Sequence, residues 1–258
     1  MAGGRWGRVS MATIWDGVSD PLAARRLRYS NVAIALHWLI AAFILYNLAS
    51  GLLRPVLPRG FFVFHVSSGI SILALTLVRI GWRLTHRPPP LLPMAGWEKG
   101  LAHGTHFFLY AAMLAMPLSG WALVSANPPA GSPGAAWAAE HPTEPPPAPT
   151  LKPDHSSAGG PAGAGKGGGH PPKRRGPMMI WGVVPLPMIA PISNKGRLPE
   201  GVPQQHELHE RIETVHLIGG WVMLALVLLH LAGALKHQFV DRERELARMG
   251  IGRVRRGA

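Results

Sequence analysis

Cysteine is absent from all 258 residues. That absence excludes disulfides, thiolate metal centres, covalently attached c-type haem and cysteine-ligated iron–sulfur clusters, so metal or redox chemistry has to rest on histidine or a noncovalently bound group. Charge is scarce too, with 15% Asp, Glu, Lys and Arg against 47% hydrophobic residues. Acidic residues are the rarer sign, 13 against 26 basic, which leaves a formal net charge of +13. A basic excess can neutralise phosphates, but no recognition motif accompanies it and no nucleic-acid partner is expected. Residues 1–29 also lack a continuous apolar stretch, so no cleavable signal is expected and the first apolar run should direct insertion.

What is present is four apolar runs, 31–53, 61–83, 101–125 and 212–235. Each is long enough to cross a hydrocarbon core as a helix, which takes about 20 residues. The first holds no Asp, Glu, Lys or Arg, and the second ends on Arg79 and Arg83, where long basic side chains can reach the interface. The third contains Pro117, which a membrane helix tolerates when neighbours satisfy the freed carbonyl. Pro- and Gly-rich breaks such as Arg54 to Gly60 keep the runs separate. The fold class expected is an all-α membrane protein, a four-helix transmembrane bundle with a long, largely disordered outer loop between helices 3 and 4.

The basic residues orient the bundle. Arg25, Arg26, Arg28, Arg79, Arg83, Arg87, Lys99, Lys236, Arg242, Arg244 and Arg248 flank one side, whereas the short opposite loop has only Arg54 and Arg59. By the positive-inside rule both termini are expected to be cytoplasmic. The organisation expected is a cytoplasmic segment (1–29), helices 1–3 within 30–125, a periplasmic Pro/Gly-rich loop (126–211), helix 4 (212–235) and a basic cytoplasmic tail (236–258). Within the loop, 128–175 is too poor in apolar residues to order itself. Met178 to Ile192 is apolar but carries Pro185, Pro187 and Pro191, which predicts an interfacial flap over the outer end of the bundle, not a fifth span.

Histidine, with 13 copies, carries the chemistry. His216 and His230 are fourteen residues apart, so they share a helix face within about 40° and differ in depth by about 21 Å. His37 lies at the depth of His230, and His65 at the depth of His216. Buried ionisable groups are costly in hydrocarbon unless a partner repays them. One inward-facing histidine pair near each surface is what two axially ligated haems require. His103 and His106 open the third span and could touch a haem propionate or a quinone, or simply lie at the interface. Arg79 and Arg83 could bind propionates through their guanidinium forks, or act as basic anchors.

The strings ALHWL (35–39), FHVSSGISILALTLVRIGWRL (64–84), WEKGLAHGTHFFLYAAMLAMPLSGW (97–121) and HLIGGWVMLALVLLHLAGALKHQFV (216–240) resemble the four helices of the prokaryotic cytochrome b561 family. The resemblance implies two haem b groups with His37 paired to His230 and His65 to His216. It also implies ubiquinone as electron acceptor or donor, membrane lipid as surroundings, and a periplasmic redox partner or superoxide at the other face, which makes the chain a membrane-bound haem b oxidoreductase. Family members commonly have an acidic residue directly after the first ligand of helix 4. Here Leu217 follows His216 while Glu210 follows His209, so His209 is the runner-up ligand, and the spacing to His230 favours His216. Arg54, Arg59, Lys195, Arg197 and Arg211 could attract an anionic donor at the outer face. Two other readings remain: a cytochrome b subunit of a larger dehydrogenase or hydrogenase, and a histidine-lined metal or solute transporter.

Overall fold

The four apolar runs form four long helices, α1 (Asn31–Leu52), α2 (Arg59–Thr85), α3 (Gly96–Ser125) and, after six short elements (two of them the helices α4 and α5), α6 (Val202–Leu235). The computed structural model describes residues 28–86, 88–89, 95–141, 178–241 and 245–251. Expectations for Arg25, Arg26, Arg87, Arg242, Arg244 and the loop residues 142–177 lie outside the described residues. At about 1.5 Å per residue even α1, with 22 residues, spans a hydrocarbon core of about 30 Å. All four helices are long and apolar enough to cross a membrane. Their outward residues, among them Leu45, Leu77, Phe107, Val215 and Trp221, are exposed and apolar, as a lipid-facing surface requires.

The helices pack in sequence, α1 on α2, α2 on α3 and α3 on α6, whereas α1 and α6 meet only sparsely. The turn between α1 and α2 therefore shares one end of the bundle with the end of α3 and the start of α6. We call this the loop end and the opposite one the terminal end. At the terminal end Ser30 caps α1 by accepting from the Ala33 N–H (3.3 Å), and its hydroxyl oxygen also accepts from the Trp82 indole N–H (3.1 Å). Lys236, just past α6, donates to Glu98 of α3 and to Asp241, both at 2.8 Å. Halfway along the bundle lies an apolar layer of Ile40, Ile44, Ile72, Met113 and Met223, packed by Phe43, Leu75, Leu109 and Val227. Met223 stands seven residues from His216 and seven from His230, so this layer separates the two histidine depths.

α3 runs unbroken through a buried Pro117, as expected of a membrane helix. Two boundaries differ from the sequence expectation. α6 begins at Val202 instead of 212, because its first turns lie beyond the apolar run and are held by polar contacts that a hydropathy window does not see. These are the i,i+4 pairs Glu207–Arg211 and His206–Glu210, and Gln205, which is buried and donates to the carbonyls of Ile192 (3.1 Å) and Ser193 (3.0 Å). The described part of the expected disordered stretch also contains a helix, α4 (Pro133–Glu140). Ser132 caps it, and Gly134 lies so close to Gly196 that any side chain would collide with the Gly196 carbonyl. A capped helix docked on the turns that precede α6 recovers the ordering entropy that composition alone suggests is lost.

The apolar flap is not a fifth span. It forms a hairpin of β1 (Met179–Ile180) and β2 (Val184–Pro185), followed by one helical turn, α5 (Ala190–Ser193). The Trp121 indole N–H donates to the Pro187 carbonyl (2.7 Å) and the Ile189 N–H to Ser125 Oγ (3.0 Å), which ties its second half to the loop end of α3. The hairpin itself does not cap the bundle end as expected. It lies along the side of α2, because Ser67 and Ser71 hold Trp181 there.

Candidate functional site

Two layers of histidine flank the apolar middle. In the loop-end layer the rings of His65 (α2) and His216 (α6) have centroids 6.4 Å apart and planes at 72°. In the terminal-end layer His37 (α1) and His230 (α6) have centroids 6.2 Å apart and planes at 64°. Two imidazoles bound to opposite sides of one iron need about 4 Å between their nitrogens, twice a metal–imidazole bond, which places the ring centroids about 6 Å apart. Both pairs fit that requirement. Among the described residues no group of three or more His, Asp or Glu could hold a bare metal ion, so the bundle offers imidazole pairs instead of a metal cage.

The loop-end pair is oriented by two serines. His65 Nδ1 lies 2.8 Å from Ser50 Oγ, and Ser50 spends its own proton on the Asn47 carbonyl (3.2 Å). Likewise His216 Nδ1 lies 2.9 Å from Ser119 Oγ, whose proton goes to the Met116 carbonyl (2.9 Å). A hydroxyl has one proton to give, so in both contacts the imidazole Nδ1–H is the donor. The lone pair is thereby left on Nε2, the form a metal ligand needs. Glycine allows the close approach of one ring: a side chain at Gly120 would meet His216 Cε1 at 3.2 Å.

Arginine organises the terminal-end layer. Arg79 turns into the bundle instead of reaching for the interface, donating from Nε to Tyr110 Oη (3.0 Å) and from one terminal nitrogen to the Ala33 carbonyl (3.2 Å). Its other terminal nitrogen lies 3.4 Å from His37 Nδ1. Arg79 thus ties α1, α2 and α3 together and sets a fixed positive charge beside one imidazole. His106 joins this layer, with its ring 5.2 Å from that of His230 and its Nδ1–H donating to the Ala102 carbonyl (2.7 Å). A cavity of about 910 Å³ opens beside it, lined by Arg28, Arg79, Trp82, Arg83 and Tyr110.

Other sequence candidates lie elsewhere. His103 is exposed and donates to the Lys99 carbonyl (2.7 Å), away from either pair. His209 sits above the loop-end layer, its Nδ1 bound to the Ala126 carbonyl (3.1 Å), and the ring that meets His65 is that of His216. His141 stacks on Trp137, while His155 and His170 lie outside the described residues. Of the outer basic residues, Arg54 is paired with Glu213 (3.2 Å) and Arg211 with Glu207, so part of that charge is compensated. Trp38, Trp82 and Trp121 each donate to a specific oxygen, of Met249, Ser30 and Pro187, which makes them ties as well as packing groups. Ser50, Ser119 and Tyr110 were not legible as site residues, because their partners sit on other helices.

The chain is 33% identical over 102 residues to a probable superoxide oxidase CybB of Yersinia pestis, covering 38% of this chain and 58% of that relative. It is 30% identical over 105 residues to cytochrome b561 homolog 1 of Escherichia coli K12, covering 38% of this chain and 60% of the relative. A third relative, cytochrome b562 of Cereibacter sphaeroides, is 33% identical over 121 residues, 43% of this chain and 71% of that protein. The chain thus aligns with about three-fifths of the length of the first two. A family profile for prokaryotic cytochrome b561 matches residues 28–252, nearly all of the chain including the four helices and both histidine layers, and the chain is therefore a multi-pass membrane cytochrome b belonging to the prokaryotic cytochrome b561 family.

Proposed function

We propose that the chain holds two haem b groups and moves electrons across the bacterial inner membrane, between a donor at its loop end and ubiquinone. The observation that carries this reading is the two imidazole pairs, 6.4 and 6.2 Å between centroids, placed either side of an apolar layer. Haem b supplies a one-electron iron couple when bound. The protein's own part is ligation, orientation and exclusion of water. His65 with His216, and His37 with His230, would each hold one haem between two imidazoles, which would suit electron transfer over oxygen binding. Ser50 and Ser119 hold the proton at Nδ1 of the loop-end imidazoles, and Met113 and Met223 keep the space between the layers dry.

The loop end is the periplasmic face and both termini are cytoplasmic, a reading supported by Arg28, Arg79, Arg83, Lys99, Lys236 and Arg248 at the terminal end. Superoxide is a donor that the name of the Yersinia relative supports. A quinone head or the haem carboxylates suit the terminal-end cavity, where Arg79, Arg83 and Tyr110 offer donors beside the apolar wall of Trp82. A histidine-lined transporter, which needs no haem, does not suit a chain of this family.

The test is a pyridine-haemochrome count on the purified chain. Two b haems per polypeptide are expected, with His37→Ala or His230→Ala losing one, His65→Ala or His216→Ala losing the other, and His209→Ala losing neither. A count of one, or a His216→Ala variant that retains both, overturns the reading. Co-purification of a stoichiometric redox subunit favours the subunit of a larger complex instead.

A further inference from the structure

The hairpin on the side of α2 is built as few surface loops are. From Met178 to Ile192 no side chain is charged, and the indole N–H of Trp181 is the one strong hydrogen-bonding group among them. Its turn places Trp181 (φ 52°) and Gly182 (φ 71°) both in the left-handed region, the geometry of a type I′ turn, closed by the Val183 N–H on the Ile180 carbonyl (3.0 Å). A bulky residue at positive φ is strained and needs its surroundings to hold it. The surroundings here are α2 and the neighbouring α1: the Trp181 backbone N–H donates to Ser67 Oγ (2.9 Å), its indole N–H donates to Ser71 Oγ (3.1 Å), and its ring packs edge-to-face with Phe64 of α2 (4.8 Å) and at a tilt to Phe43 of α1 (6.1 Å).

Depth follows from the helix. Ser67 and Ser71 lie eight and twelve residues past Arg59, the first residue of α2, so Trp181 is anchored about 12 to 18 Å along the helix axis. That is well inside a hydrocarbon core of about 30 Å. Successive residues turn by about 100°, which puts Ser67 and Ser71 on the flank of α2 away from the inward-facing His65. The hairpin therefore lies against the lipid side of the bundle. Its own outer surface is apolar, with Val183 75% exposed and Val184 55%.

Non-helical backbone survives at this depth only if its polar groups are satisfied without water. Several here are. Leu186 N–H donates to the Met178 carbonyl (2.8 Å), Ile189 N–H to Ser125, and Trp181 N–H to Ser67, while Pro185, Pro187 and Pro191 have no N–H to satisfy. We propose that residues 178–189 form a re-entrant hairpin immersed in the bilayer, entering from the loop end, reversing at Trp181–Gly182, and meeting lipid acyl chains through Val183 and Val184.

The absence of cysteine makes the test clean. In the haem-loaded protein in lipid vesicles, Val183→Cys carries a nitroxide label, with Leu77→Cys on the lipid face of α2 and Glu207→Cys in the loop-end helix as references. Relaxation by dissolved oxygen and by a water-soluble nickel chelate is measured for each. The label at 183 is expected to match that at 77, relaxed by oxygen and protected from nickel several-fold better than that at 207. Exposure to nickel equal to that at 207 overturns immersion, and protection from both reagents overturns it in favour of a protein partner. Adding Ser67→Ala and Ser71→Ala is expected to bring the 183 label into reach of nickel while the haem spectrum stays unchanged. A label that keeps its depth refutes the serine anchor.

Discussion

At the scale of single residues, the pairs of imidazoles depend on neighbours that fix which nitrogen carries the proton. Ser119 accepts from His216 Nδ1, and it has no substitute on α3 because Gly120 beside it has no side chain. Replacing Ser119 with Ala is expected to weaken haem retention at the loop-end site by about 10- to 100-fold, the usual cost of losing a partner behind a metal-bound histidine. Haem titration of the apo-protein followed at the Soret band checks this, and the terminal-end site should be unaffected. Arg79 acts by charge. On the proposed function, a guanidinium at 3.4 Å from His37 would favour the less positive state of a haem iron held by that imidazole, so Arg79→Gln is expected to lower one of two midpoint potentials by about 100 mV, on Coulomb energies of about 2 to 3 kcal/mol at partly buried sites. Potentiometric titration gives the number, and two unmoved potentials would refute the role. The histidines were legible in the sequence because ionisable residues stand out in apolar runs. Ser50 and Ser119 were not, since serine is ordinary in membrane helices and its partner here comes from a helix distant in sequence.

At the scale of elements, close packing of α3 on α6 uses one glycine from each. Gly120 faces the His216 ring, and a side chain at Gly219 would collide with Met116 Sδ. Gly120→Val is expected to push His216 out of line and to halve the haem count, with the terminal-end pair still loaded; an unchanged count would refute that. The end of α6 unwinds into a π-turn (Lys236–Val240), where the Asp241 N–H donates to the Lys236 carbonyl (3.1 Å) and the Asp241 carboxylate bridges Lys236 and His237. The hydrogen bond from Lys236 holds the Asp241 carboxyl below its usual range. A carboxyl pKa depressed by folding stabilises the turn above the unfolded pKa, and that stabilisation is lost as pH falls through the lower folded value. Hydrogen exchange across 236–241 should therefore be steady at neutral pH and quicken, beyond the intrinsic trend, only in acid below the ordinary carboxylate range. Asp241→Asn should abolish that acid step. Helix positions were legible from hydropathy, but the early start of α6 was not. The first turns of α6 depend on Gln205 reaching back to residues 192 and 193, a contact that no periodicity encodes.

At the scale of the whole molecule, four helices, two histidine depths and their pairing followed from spacing and span length, and the structure brings the same rings together. The placement of the flap did not follow, because apolar composition and prolines say that a segment avoids water without saying which face shelters it. The two ends of the bundle also differ in a way the count of basic residues hides. At the loop end Arg54 is matched by Glu213, whereas at the terminal end Arg79 bonds to neutral oxygens. On the proposed function, the positive field beside the terminal-end pair would stabilise an electron there.

Both histidine pairs draw one member from α6, and α6 follows the other three long helices in the described chain. His37 and His65 leave the ribosome early and wait, each with half a site, until α6 is inserted. Neither site can form from a chain stalled before α6. On the proposed function, haem would load at either site only once α6 is in place, and a chain stalled before α6 would carry no bis-imidazole iron into the membrane.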